Sequence, residues 1–171
     1  MSAGEAGRVP YRRALLIFAS AAMVLSIMHH VDHVVRGNHS GWPFQEEVTP
    51  FTFSLLIYAL ILPAIYLTAR RRRVAGYHLF VAGGGLALLG FVHFAPTGEQ
   101  EAPISDIYMI YESPLSGLLA LAVLAGLITS VALLAITAFR AFRVQPRAAE
   151  PGGSSAPRTA RHTQRRTRDE N

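Results

Sequence analysis

Residues 14–36 read ALLIFASAAMVLSIMHHVDHVVR, and this stretch decides the fold. From Ala14 to Met28 no side chain is ionisable. Then His29, His30, Asp32, His33 and Arg36 follow within two turns. A helix needs ~20 mostly apolar residues to cross a bilayer, and residues 14–35 meet that length. Three more segments do so further along the chain: 50–69, 74–94 and 114–139. The pattern therefore predicts an all-α, four-transmembrane-helix integral membrane bundle with antiparallel helices. Thr49-Pro50 and Ser113-Pro114 supply start signals: a hydroxyl residue at the N-cap, then a proline whose missing N–H is harmless in the first turn. Pro63 is expected to kink the second span. Gly83, Gly84 and Gly85 are expected at a helix–helix contact, where small residues let backbones approach. Ala19-Ser20-Ala21 imitates a signal-peptidase site. Only Ala14 to Phe18 precedes it as an apolar region, too short for a leader, so the first span is read as retained.

The composition agrees. Of 171 residues 51% are hydrophobic and 16% charged, against about 25% charged in soluble domains, which excludes a conventional soluble enzyme core. Cysteine is absent, and with it disulfides, thiolate metal sites, iron–sulfur clusters and thiol catalysis. All 16 basic residues are arginine, and their positions predict direction. Arg8, Arg12 and Arg13 precede the first span, Arg70 to Arg73 fill the turn between the second and third, and Arg140, Arg143 and Arg147 follow the fourth. Arg36 alone lies on the other side, with Asp32, Glu46, Glu47, Glu99, Glu101, Asp106 and Glu112. By the positive-inside bias both termini are cytoplasmic in a multi-pass plasma (inner) membrane protein.

Three regions result: a cytoplasmic segment 1–13, a transmembrane domain 14–143 and an Arg-rich tail 144–171. The tail combines Pro, Gly and Ser with five further arginines and is expected to be disordered and cytoplasmic. It suits contact with anionic lipid heads. The expected partners are the bilayer itself and, if the protein assembles, further copies or other subunits. No nucleic-acid motif is present. Trp42, Phe44, Tyr108 and Tyr111 read as interfacial anchors, residues 104–112 as a short surface helix, and Tyr58 and Tyr66 as packing residues.

On a helix at 100° per residue, Ser26, His29, His30, Asp32, His33 and Arg36 share one side, within ~160°. Ile27, Met28, Val31, Val34 and Val35 occupy the other. Ionisable groups in a span are costly and generally face the bundle interior. His29 and His33 are four apart, the spacing by which two imidazoles of one helix hold one metal ion. Asp32 can serve as a carboxylate ligand, as an acceptor for an imidazole N–H, or as the partner of Arg36. A further ligand has to come from another helix, and His93 qualifies. His33 lies 19 positions after Ala14 and His93 lies 19 after Val74, so both sit ~28 Å above the inner face. His39, Glu46, Glu47, Asp106 and Glu112 can fold over the same layer. His78 belongs to the opposite end, and His30, at the edge of the arc, is read as a bystander.

The candidate metal ligands are thus His29, His33, His93 and Asp32, for a transition-metal ion or, with two histidines as axial ligands, haem b. The alternatives are an accessory or structural subunit whose histidines are interfacial, and a proton-coupled transport component. The sequence has no phosphate loop, dinucleotide fingerprint or serine nucleophile elbow. Whether the site is catalytic stays open at this stage.

Overall fold

The computed structural model describes residues 11–36, 48, 50–94, 108, 110–111 and 113–144. Regular structure among them is helical: α1 (Arg12–Arg36), α2 (Pro50–Ser54), α3 (Leu56–Ala69), α4 (Ala75–Phe94) and α5 (Pro114–Arg143). Four stretches are long and apolar enough to cross a membrane: Arg12–Arg36, Phe51–Ala69, Ala75–Phe94 and Pro114–Arg143. The expected tail beyond Val144, His39, Trp42, Phe44, Glu46, Glu47, Thr49, Asp106, Glu112 and most of residues 104–112 lie outside the described residues.

Two seams organise the packing. The buried residues of α1 are Leu15, Ala19, Ala22, Ser26, His29, His33 and Arg36, spaced alternately four and three. In α5, Gly117, Ala120, Leu124, Leu127, Val131, Leu134, Ala138 and Ala141 are buried at the same alternation. A repeat of 3.5 residues keeps one narrow stripe of a helix against its neighbours. The central cluster is rich in alanine, with Ala19, Ala22, Ala75, Ala82, Ala138 and Ala141 beside Leu15, Ile61, Leu127 and Leu134. Small side chains bring the backbones together. The helix α5 packs most extensively, against α1 and α4, whereas α3 packs lightly on α1 and α4.

The alanine seams also explain why the glycine expectation fails. Gly83 and Gly84 are exposed, and a Cβ on either would meet nothing within 4 Å. Only Gly85 approaches a neighbour, 3.7 Å from Val131 Cγ1. Close approach is supplied elsewhere, by residues whose methyl groups also fill space.

The second apolar stretch, Phe51–Ala69, is divided between α2 and α3. Pro63 lies inside α3 without ending it. A break falls at Leu55, where Leu55 N–H donates to Thr52 O (3.3 Å) and Tyr58 N–H to Leu55 O (3.2 Å). These i→i−3 bonds tighten the turn. Ser54 Oγ donates to Phe51 O at 2.6 Å, a side-chain bond that competes with the helical ladder.

At the arginine-rich end the chain turns through a Schellman arrangement. Arg72 N–H donates to Leu67 O (2.9 Å) and Arg71 N–H to Thr68 O (3.0 Å), with Arg71 left-handed at φ 58°. Arg12 reaches across from the first turn of α1, Nε to Thr68 O (3.1 Å) and Nη2 to Ala69 O (2.9 Å). A cation on the last carbonyls of a helix is favourable. The buried His78 of α4 meets Thr68 Oγ1 at 2.7 Å through Nε2. The first turn of α1, the last turn of α3 and the first turn of α4 therefore meet at one end of the bundle. At the start of α5, Ser113 has an extended backbone (φ −110°, ψ 119°) and Pro114 follows, but the serine hydroxyl makes no capping bond.

Candidate metal centre

At the opposite end, the last two turns of α1 and the last turn of α4 bring three imidazoles together. His29 and His33 occupy adjacent positions of the α1 seam, and His93 is buried near the end of α4. Nε2 of His29 lies 3.2 Å from Nε2 of His93 and 3.2 Å from Nε2 of His33. One nitrogen from each of the three falls within 4.8 Å of the others, an arrangement able to hold a metal ion. Two ligands on a tetrahedral ion with bonds of ~2.05 Å stand ~3.3 Å apart. The two spacings from His29 match that separation, which is equally that of a hydrogen bond between two imidazoles. The sequence expectation that His93 shares the layer of His29 and His33 is thus met in space.

Asp32 is engaged elsewhere. Arg36 Nε donates to Asp32 Oδ2 at 2.8 Å, and the Tyr111 hydroxyl donates to Asp32 Oδ1. Of the roles read from the sequence, the carboxylate takes that of partner to Arg36, and it is not in the converging group. Burial, together with the adjoining Asp32 carboxylate, pushes the Tyr111 phenol up to about 12. The tyrosine, read as an interfacial anchor, in fact ties the segment before α5 to α1.

His30 stands outside the cluster but is not idle. Its Nδ1 lies 2.7 Å from the Tyr58 hydroxyl and 2.8 Å from Ser26 O, and its Nε2 lies 2.7 Å from Ser54 Oγ. Both ring nitrogens are occupied by α1, α2 and α3 groups. Tyr58, read as a packing residue, is a hydrogen-bond partner. Phe51 packs its ring against His30 (5.4 Å) and His33 (5.2 Å). Phe51 and Ser54 are three apart on α2, so helical spacing turns both toward α1.

Below the three histidines lies a cavity of about 90 Å³, bordered by all four long helices. Ser26, His30, Ser54 and Tyr58 border its histidine end, and Ile61, Ala82, Leu127, Val131 and Leu134 form its apolar remainder. Sequence reasoning had no access to this cavity, which depends on how four helices are rotated about their axes. The histidine centre itself was legible from spacing and from equal counts along two helices.

Fold and site define a class: among the described residues, a helical protein with four stretches long and apolar enough to cross a membrane and a buried three-histidine cluster at one end. Comparison with protein-family models, curated proteins and solved structures returns no significant match.

Proposed function

We propose that this chain is an integral protein of the plasma membrane, with four antiparallel spans and cytoplasmic termini, that holds a transition-metal ion near its outer face. His29, His33 and His93 are the proposed ligands. The observation that carries this reading is the convergence of three imidazole nitrogens from two helices in a buried site.

The distribution of polarity supports the membrane setting. His29, His33, His78, His93 and Arg36 are buried, while Ile17, Val24, Val35, Phe80, Phe91, Leu118 and Phe142 face outward. An apolar exterior with the ionisable groups turned inward suits lipid as the solvent. The arginine bias places the Arg70–Arg73 turn inside and the histidine end outside. Imidazole without thiolate suits zinc, copper, iron or nickel. Haem fits the geometry less well. Its two axial nitrogens would stand ~4 Å apart on opposite sides of the iron. Here His29 and His93 are closer, at 3.2 Å, with their rings in edge contact at 63°. The apolar walls below Ser26 and Tyr58 give no support to a proton path through the bundle.

The test is purification in mild detergent followed by elemental analysis and an absorption spectrum. About one equivalent of a transition metal per chain is expected, without a Soret band. His33→Ala and His93→Ala should each remove most of it, and His30→Ala or His78→Ala should leave it in place. Metal content equal in all four variants, or a Soret band in the unaltered protein, would overturn the assignment.

A further inference from the structure

Three protein ligands are the number used by catalytic zinc centres, in which water or substrate takes the fourth position. Among the described residues no fourth histidine or carboxylate joins His29, His33 and His93. The space beside all three is the cavity. Its composition changes along its length. Ser26, Ser54 and Tyr58 border it next to the imidazoles, and beyond them Ala22, Ile61, Ala82, Val131 and Leu134 offer only hydrocarbon. A ligand matching this gradient has an oxygen donor at one end and a short apolar body.

Resting on the metal reading above, we propose that the three-histidine centre binds a short-chain oxygen-headed molecule, its head on the metal and its chain in the cavity toward Leu134. The chemical class is that of a short alcohol, aldehyde or carboxylic derivative. The cavity sets the length. A site of ~150 Å³ accepts benzene, so about 90 Å³ accommodates a chain of about four carbons by the same measure. Longer chains have to displace packed side chains, which interiors resist. The light packing of α3 on α4 makes that seam the proposed route of entry from the bilayer.

Cobalt(II) and a series of alkyl hydroxamates from two to eight carbons test the proposal on the full chain in detergent. The hydroxamate head supplies oxygen to the metal, and the cobalt absorption bands report both loading and binding. Affinity should rise by about fourfold per methylene up to about four carbons and then level off. Gly85→Leu should shorten the chain length at which it levels, because a Cβ there meets only Val131 Cγ1 at an ordinary 3.7 Å and the rest of the side chain fills the cavity. Val131→Ala should lengthen it. Retained cobalt bands show in each case that the protein is folded and loaded. An identical chain-length profile in all three proteins, or none at all, would overturn the proposal while leaving the metal centre standing. Absence of cobalt bands in the unaltered protein would instead overturn the metal centre, and the ligand proposal with it.

Discussion

Arg36 closes α1 with its side chain fully enclosed, while its partner Asp32 is 12% exposed. An enclosed guanidinium without its carboxylate is an uncompensated charge. Breaking such a pair typically costs about 3–5 kcal/mol, whereas replacing both members by apolar groups is often close to neutral. Asp32→Ala should therefore destabilise the protein by that amount in denaturant unfolding from micelles, and adding Arg36→Leu should restore most of the loss. A double variant no more stable than Asp32→Ala would show that the pair is not what the carboxylate contributes. The bond from Tyr111 to Asp32 adds a pH signature. A free tyrosine titrates near 10, and in the folded protein Tyr111 is raised to about 12. The folded state thus keeps this proton where the unfolded state has lost it, so its contribution is intact below pH 10 and disappears between 10 and 12. Tyr111→Phe should flatten that part of the unfolding-midpoint profile. Of these residues, His29, His33 and Arg36 were legible because one helix fixes their mutual spacing. The bonds from Tyr58 to His30 and from Tyr111 to Asp32 were not. They join separate segments, and periodicity within one segment carries no information about the rotation of another.

At the level of elements, the sequence located all four apolar stretches but not the break inside the second. A proline in the interior of a helix removes one backbone bond, which drew attention to Pro63. Yet α3 runs through Pro63, and the break at Leu55 arises from Ser54, whose hydroxyl takes the Phe51 carbonyl while its oxygen meets His30. A serine signals such a turn only when its partner is known. The other interruption, after α3, holds Arg71 in the left-handed region at the position where glycine is usual in a Schellman motif. A side chain there costs roughly 1–2 kcal/mol, partly offset because glycine loses more freedom on folding. Arg71→Gly should accordingly raise the unfolding midpoint, by no more than about 1 kcal/mol of stability. A lower midpoint would mean that the arginine side chain makes a contact outweighing its backbone strain.

For the whole molecule, the alternation of four and three along α1 and α5 was present in the sequence, and with it the identity of the buried stripe. Reading it requires only noticing that Leu15, Ala19, Ala22, Ser26, His29, His33 and Arg36 form one series. The stripe changes from hydrocarbon to histidine along α1, so one end of the bundle is chemically distinct from the other. In the proposed membrane setting, arginine predicts which side each end faces. Fifteen of the 16 arginines belong to the segments assigned to the cytoplasm, Arg36 being the exception. Moving even one of those charges outward opposes the bias that sets orientation, and the Arg70–Arg73 turn would carry four together. Arg12 strengthens the argument, because its bonds to Thr68 O and Ala69 O hold two of the basic clusters at the same end. A reporter fused after Asn171 or inserted at Arg71 should therefore read cytoplasmic, and one inserted at Gly98 should read external. Because α1 and α4 both run from the arginine end to the histidine end, an external reading at Arg71 would carry His29, His33 and His93 to the cytoplasmic face. The proposed metal centre would then draw on the reduced, metal-buffered interior of the cell instead of the outside, and the direction from which its proposed ligand arrives would be reversed with it.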